Sequence, residues 1–345
     1  MTPEFPSKMS MQSKLRCIRP VRVVRIVAAT AIALLLLSCP GPVAFAQATT
    51  LLVLRNMPVK SKKGETFKTL PAIVQSDIAE IKIGGKPATI TAFTPLLKGP
   101  SVLQIMFLLD SSERIGINDQ FDDIKKLFTS LPSNVEIGVG YLLQGKAKIV
   151  QPFTTDRTLA GNALRLPTEE EAASPKNDNG NPFQCLRDLA AHWPGADPAK
   201  LRAVVMFTDG IIRSNGSPQS GDQLNPDVDG ASQSLQRAGI VPYPFYYMDP
   251  IPPQNRSSGG QLEGQQNFSQ LDADTGGGGL YEGQFAPSSF APLLDQFYRM
   301  LDSEAVVTVT VPGSGFKHLD IKSSRDDIKV LGPDSVTIGN AVPKK

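Results

Sequence analysis

Phe107-Leu108-Leu109-Asp110-Ser111-Ser112 and Met206-Phe207-Thr208-Asp209-Gly210 are the two stretches that decide the fold of this chain. Each is a short apolar run, typical of a buried strand, that stops at an aspartate. In an open sheet of parallel strands, the carboxyl ends of the strands meet at one edge, and ligands bind there. The two stretches therefore predict central strands of an α/β sheet that bring Asp110 and Asp209 together at one edge.

From Val102 onward, strand-like runs alternate with segments of helical periodicity, which is typical of a doubly wound, mostly parallel α/β domain. Two of the runs, Val135 to Leu143 and Lys146 to Phe153, are separated only by Gln144-Gly145. They therefore predict an antiparallel hairpin at the sheet edge. Capping residues, prolines and glycines mark the helix ends. The predicted helices are Phe121 to Leu131, Pro182 to His192, Asn225 to Gly239, Phe268 to Asp274 and Ser289 to Ser303.

Strand composition also marks both flanks of this domain. Neither flank has enough strands for a stable core of its own. We therefore expect the two flanks to pair into one small β-module beside the α/β sheet. The predicted organisation is a signal peptide (1–46), an N-terminal β-rich flank (47–100), the α/β domain (101–303) and a C-terminal β-rich tail (304–345).

The composition indicates a globular protein without a nucleic-acid partner. The 345 residues are 41% hydrophobic and carry a formal net charge of +2. The first 46 residues hold six Lys/Arg and one Glu, so the remaining chain has 29 basic and 32 acidic residues, a net charge of −3. A nearly neutral chain lacks the excess positive charge that binding to phosphate backbones requires.

The first 46 residues have the pattern of an export signal. Basic residues precede Ile26 to Leu37, an apolar run too short for a membrane span, and Ala44-Phe45-Ala46 offers a cleavage site. Two alternatives stay open, namely lipidation of Cys39 and an uncleaved anchor. We expect a periplasmic or secreted protein with no transmembrane segment in its mature part. Cleavage after Ala46 would leave Cys185 as the lone cysteine, so no internal disulfide is predicted.

The two strand-end motifs resemble the metal-ion-dependent adhesion site of von Willebrand factor A (VWA) domains. That pattern is Asp-x-Ser-x-Ser after the first strand and Thr-Asp-Gly after a later one, and Asp110, Ser112 and Thr208-Asp209-Gly210 match it. Arg237-Ala238-Gly239-Ile240 and Asp274-Thr275-Gly276-Gly277 extend the resemblance over about 102–303. The β-rich flanks resemble those of a bacterial exported branch of the family.

The resemblance implies a site in which Asp110, Ser112 and Asp209 surround Mg²⁺ or Mn²⁺ and a partner's carboxylate completes the shell. Arg114 stands where the pattern has its second serine, and a guanidinium has no lone pair for a metal. A degenerate site, in which Arg114 neutralises the aspartates and no cofactor binds, is the alternative that this arginine favours. The family's threonine ligand has three candidates here, Thr154, Thr155 and Thr168.

These features predict a binding module for protein–protein interaction or adhesion, acting through the strand ends. Arg114 is the candidate for contact with an exposed Asp or Glu of the partner. The alternatives are a structural subunit of a cell-envelope assembly and a metal-assisted hydrolase that uses Asp110 and Asp209. An enzyme is not expected, because the chain has two histidines and no Gly-x-Ser-x-Gly or His-Glu-x-x-His motif. Three long polar connections are expected to crowd the same edge, namely Thr154 to Gly180, Ile211 to Leu224 and Met248 to Gln266.

Overall fold

The structure is a computed structural model that describes residues 47–59, 71–110, 117–166, 181–214, 217–218, 225–247, 258–280 and 288–339. Only the backbone is described for 213–214, 217–218 and 258–261. The predicted signal segment, residues 1–46, lies outside these ranges. Among the described residues, no helix combines the length and the apolar character needed to cross a membrane.

The N-terminal flank is built of strands, as predicted. A tight turn joins the second and third strands at Gly84-Gly85, where both residues have positive φ (58° and 76°). Such a turn requires residues that adopt the left-handed region without strain, which explains the two glycines. The four strands are β1 (Gln47–Pro58), β2 (Ile78–Ile83), β3 (Lys86–Pro87) and β4 (Thr89–Pro95).

The α/β domain follows, with strands and helices in alternation. Its strands are β5 (Leu103–Asp110), β6 (Val135–Leu143), β7 (Lys146–Thr154), β8 (Leu201–Thr208), β9 (Arg213–Ser214), β10 (Ser217–Pro218) and β11 (Ile240–Tyr246). Its helices are α1 (Phe121–Ser130), α2 (Arg157–Asn162), α3 (Pro182–Ala191), α4 (Pro226–Ala238), α5 (Ser258–Thr275) and α6 (Ala291–Ser303).

The central sheet has the strand order β11-β8-β5-β6-β7. All neighbours are parallel except β6 and β7, which form the predicted antiparallel edge hairpin. The predicted fold class is thus confirmed, and the order is the VWA-like arrangement that the resemblance implies. The sheet also continues beyond β11, because Leu280 N donates to Pro244 O at 2.8 Å and Tyr246 N donates to Leu280 O at 3.0 Å. That added parallel segment was not predicted.

Strand β5 is buried on both faces, which explains its unbroken apolar run. Phe107 packs edge-on against Phe128 of α1 in the core that also holds α6. Met106 and Leu108 point to the opposite face, into a core with Phe183 of α3 and with α4 and α5. Helices therefore cover both faces of the sheet, as a doubly wound domain requires.

Local signals explain most helix ends. The Asn181 side chain accepts from Gln184 N at 3.1 Å, and Asn225 accepts from Asp227 N at 3.1 Å, so the two asparagines cap α3 and α4. Gly239 ends α4 with φ 65°, in the left-handed conformation. The prediction for α5 was too short, because this helix begins at Ser258 instead of Phe268.

The C-terminal tail supplies the remaining strands, β12 (Ala305–Pro312), β13 (Gly315–Ser323), β14 (Ile328–Leu331) and β15 (Ser335–Ile338). They pair with the N-terminal flank, as predicted, in two four-stranded sheets with the orders β14-β1-β12-β4 and β15-β13-β2-β3. Each sheet mixes both flanks, and the two sheets share one apolar core, so the module is a β-sandwich. Val307 of β12 lies in that core, whereas Val306 lies in the core of the α/β domain.

Candidate binding site at the strand ends

A hydrogen bond joins the two central strands at their carboxyl ends. Thr208, the last residue of β8, donates its hydroxyl to Asp110 Oδ2 at 2.6 Å, and Asp110 is the last residue of β5. Asp110 is 8% exposed, and Thr208 and Asp209 are fully buried. A buried carboxylate is costly without donors, and a hydroxyl at this distance supplies one. The structure thus brings Asp110 and the Thr208-Asp209-Gly210 motif together at one edge, hereafter the rim.

Asp209 is held by the backbone that follows it. Its Oδ1 accepts from Ile211 N at 3.0 Å, which is the local turn that aspartate favours after a strand. Gly210 adopts φ 68°, a conformation open to glycine with little strain. A side chain at Gly210 would also collide with Phe268 of α5, because its Cβ would lie 2.7 Å from the ring.

Helix α5 covers this turn from the side. Asn267 Nδ2 donates to Gly210 O at 3.1 Å. Gly264 lies so close that a Cβ there would stand 2.0 Å from the carbonyl oxygen of Asp209. The helix therefore closes one side of the rim, and the segment Met248 to Gln266, expected to be a loop, is helical from Ser258.

Helix α3 and the edge hairpin border the rim next to Asp110. Cys185 of α3 is buried. Burial raises the pKa of its thiol well above the ordinary value, and the neighbouring Asp110 carboxylate raises it further. The thiol is therefore neutral, which fits packing and not nucleophilic chemistry.

Tyr141 anchors the chain that returns to the rim after β7. Tyr141 pairs with Leu109 of β5 in the sheet, and its hydroxyl accepts from Arg165 N at 3.2 Å and donates to Arg165 O. The Arg165 guanidinium lies 5.9 Å from the centre of the Tyr141 ring. The connection from Thr154 to Gly180 thus reaches the rim by residue 165, after the short helix α2.

Two of the three threonine candidates lie at the wrong edge of the sheet. Thr154 pairs with Ile137, whereas Asp110 pairs with Leu142, so five residues of β6 separate the two levels. At about 3.3 Å per residue, the separation is about 16 Å, too far for a shared metal. Thr154 and its neighbour Thr155 were therefore wrong as ligands, because β7 runs antiparallel and carries them away from the rim.

The other predicted site residues fall outside the described ranges. Ser112 and Arg114 belong to residues 111–116, directly after β5, and Thr168 belongs to residues 167–180.

The described residues supply two carboxylates and one hydroxyl at the rim, and each carboxylate already accepts an internal hydrogen bond. Mg²⁺ takes six oxygen ligands. Among the described residues, no three His, Cys, Asp or Glu side chains could share a metal ion. The described part of the rim therefore does not make a metal shell by itself.

Sequence reasoning recognised Thr208 only as part of a motif and did not identify Gly264 or Asn267. The signal for Thr208 was present, since a polar residue that closes a buried apolar strand beside an aspartate needs a partner. No signal marked Gly264, because its role comes from the approach of α5 to β8 in space. No described contact links either histidine to the rim. His192 follows the last turn of α3 and contacts Asp188, and His318 lies in β13.

No protein-family model matches the chain, and no curated protein matches it. Solved structures with a similar fold include the SpRpn10 VWA domain, at 13% identity over 56% of this chain and 95% of that one, with a TM-score of 0.38. An aerotolerance-related membrane protein from Bacteroides fragilis aligns at 16% identity, over 58% and 98% of the two chains, with a TM-score of 0.38. The PilB minor pilin from Streptococcus sanguinis aligns at 12% identity and a TM-score of 0.39, over 60% of this chain but 62% of the pilin. The fold assignment rests on the strand order above and not on these low scores.

Proposed function

We propose that this chain is an exported binding module that engages another protein through the rim. The observation that carries the proposal is the bond between Thr208 and Asp110, which joins the ends of two neighbouring strands and holds the Asp110 carboxylate there. This edge is where doubly wound sheets place their ligands. The proposed partner presents an exposed Asp or Glu.

The buried hydrogen bonds give the aspartates a supporting role in this proposal. Asp110 and Asp209 each accept an internal donor, so they hold the strand ends and the turns in place. Residues 111–116 continue directly from Asp110 and include Ser112 and Arg114. Arg114 then contacts the partner's carboxylate, because a planar guanidinium fork matches a carboxylate with two parallel hydrogen bonds.

A divalent cation is the competing way to recognise the same carboxylate. Asp110, Ser112 and Asp209 would hold Mg²⁺ or Mn²⁺, and the metal would supply the positive charge that otherwise comes from Arg114. The two mechanisms differ in one measurable respect. Capture through Arg114 survives EDTA, whereas capture through a metal does not.

The experiment compares the partner captured from envelope extracts by the wild type, Arg114→Ala and Asp110→Ala, each with Mg²⁺ or with EDTA. Lys98→Ala is the matched control, because Lys98 is an exposed cation at the opposite edge, paired with Asp302. We expect Arg114→Ala to lower capture about tenfold or more, as loss of a central arginine contact does. Equal capture by the wild type and both rim variants would remove the rim from consideration. Loss with EDTA would assign recognition to a metal.

A second candidate function, a structural subunit that self-associates through the β-sandwich, is favoured by one observation. Met57, Val59 and Val74 are 40%, 40% and 49% exposed on the sandwich. Light scattering tests this candidate function. Met57→Lys should dissociate the oligomer into monomers if the exposed residues of the sandwich form the contact. Removing residues 304–345 is not a suitable test, because that tail supplies half of the strands of the sandwich.

A further inference from the structure

The contact between the β-sandwich and the α/β domain, hereafter the seam, contains a buried acid. Glu304 lies between the end of α6 and the start of β12 and is 2% exposed. Its carboxylate accepts from the Tyr243 hydroxyl of β11 at 2.6 Å. Its backbone carbonyl accepts from Leu96 N, just after β4, at 2.9 Å. Glu304 therefore contacts both parts of the molecule at once.

Arg55 of β1 reaches across the same seam. One guanidinium nitrogen donates to Gly277 O, and the other lies 3.9 Å from Met300 Sδ. Its Nε is buried and has no hydrogen-bond partner among the described residues. Within the described part of the chain, no cation forms an ion pair with Glu304, and the charge of Arg55 acts on it only from a distance.

The glycine run beside Arg55 makes the seam close-packed. A Cβ at Gly276 would lie 2.4 Å from the backbone of Gly332, in the tail, and a Cβ at Gly278 would lie 2.4 Å from Met300 Sδ. Asp334 N donates to Asp274 O at 2.7 Å, which adds a backbone bond between tail and domain. The run therefore does more than end α5, because it lets the sandwich approach β11.

Burial, and not the groups around it, makes the protonated form of Glu304 the stable one below about pH 7. Burial raises the pKa of Glu304 from 4.5 to about 7, although the Tyr243 hydrogen bond and the Arg55 charge lower it in part. Burial raises the pKa of Tyr243 well above its ordinary value, and the negative charges of Glu304 and Asp272 add to this rise. Tyr243 thus stays a neutral donor over the whole range in which Glu304 titrates.

We propose that Glu304 is a proton-controlled latch of the seam, which is tight when Glu304 is protonated and opens more often when it is ionised. The reason is the cost of a buried carboxylate that has, among the described residues, one neutral donor and no paired cation. Opening of the seam lets water reach the carboxylate, so ionisation favours the open form. The contact between sandwich and domain therefore opens less often at mildly acidic pH than at neutral pH.

Hydrogen–deuterium exchange of the full chain between pH 5.5 and 8.0, corrected for intrinsic exchange rates, tests the latch. The amides of Leu96 and Asp334 report opening, because each donates across the seam. If Glu304 regains its ordinary pKa of 4.5 on opening, their opening constant rises about 25-fold over this range, given a closed-state pKa of about 7. Glu304→Gln keeps the shape and an acceptor for Tyr243, and we expect its opening constant to be independent of pH.

Two further variants keep the test decisive. Asp302→Asn removes an exposed acid two residues away, paired with Lys98, and should retain the full 25-fold response. Tyr243→Phe removes the donor, so the response should persist and extend to higher pH. A flat wild-type profile, or an unchanged pH response in Glu304→Gln, would overturn the proposal.

Discussion

Replacing Thr208 by valine tests whether the bond between the two strand ends organises the rim. Valine has nearly the shape of threonine but no hydroxyl, so it removes the 2.6 Å donor to Asp110 and the 3.3 Å acceptor for Gly210 N. A hydrogen bond to a charged group contributes about 1.5–3 kcal/mol, and the partners left behind are buried. We expect the free energy of unfolding to fall by about 3 kcal/mol, which lowers the melting temperature by about 6 °C in a domain of this size.

Urea unfolding followed by circular dichroism measures this loss, and Thr208→Ser is the matched control. Serine keeps the hydroxyl and loses one buried methyl, which costs about 1 kcal/mol. The reasoning therefore predicts that valine destabilises more than serine, although valine is the better filler of an apolar space. If Thr208→Val is as stable as the wild type, or more stable than Thr208→Ser, the bond to Asp110 does not hold the rim together.

Three other substitutions probe packing, hydrogen bonding and charge at the turn after β8, at the start of β6 and at the seam. Gly264→Ala should lower the free energy of unfolding by about 1–3 kcal/mol in urea, because its Cβ would stand 2.0 Å from the Asp209 carbonyl oxygen. Arg157→Ala should cost about 2 kcal/mol in the same assay, since its guanidinium donates to three backbone carbonyls after α1 and at the start of β6; no loss would show that water replaces it. Glu304→Gln should have the same free energy of unfolding as the wild type at pH 4 and one about 3 kcal/mol higher at pH 8. The reason is that the folded-state pKa of Glu304 is raised from 4.5 to about 7, so the wild type has its full stability below pH 4.5 and loses about 3 kcal/mol as the pH rises through 7. A wild-type stability that does not fall between pH 4.5 and 7 would contradict the third.

The parts of the fold that sequence predicts well are those in which local signals and burial agree. β5 is predictable as a strand because burial of both its faces gives an unbroken apolar run. α4 is predictable because Asn225 and Gly239 mark its two ends. Helix α5 shows the opposite case. Its first half contains several glycines and polar residues, and it is helical because Phe268 and Gly264 pack against the turn after β8. Tertiary contacts overrode weak local propensity there.

The candidate site was predictable in part for the same reason. The apolar runs that stop at Asp110 and Asp209 predict two buried parallel strands. Parallel strands end at the same edge of a sheet, so the sequence alone predicts that the two aspartates meet there. The threonine ligand could not be placed, because the direction of β7 decides whether Thr154 lies at the rim or about 16 Å away. The pairing of flanks into a sandwich was predictable from strand counts, but its two-sheet form depends on β1 pairing with both β12 and β14.

The chain treats its buried acids in two different ways, and this separates the two proposals. At the rim, Asp110 and Asp209 receive donors from Thr208 and from the backbone. At the seam, Glu304 receives one neutral donor, and burial raises its pKa to about 7. The proposed contact of Arg114 with a partner is therefore assigned to the rim, and the proposed pH dependence of opening is assigned to the seam. We expect Glu304→Gln to leave partner capture at pH 6 unchanged and Arg114→Ala to leave the pH response of exchange unchanged. A common loss in both assays would mean that the seam and the rim act as one unit.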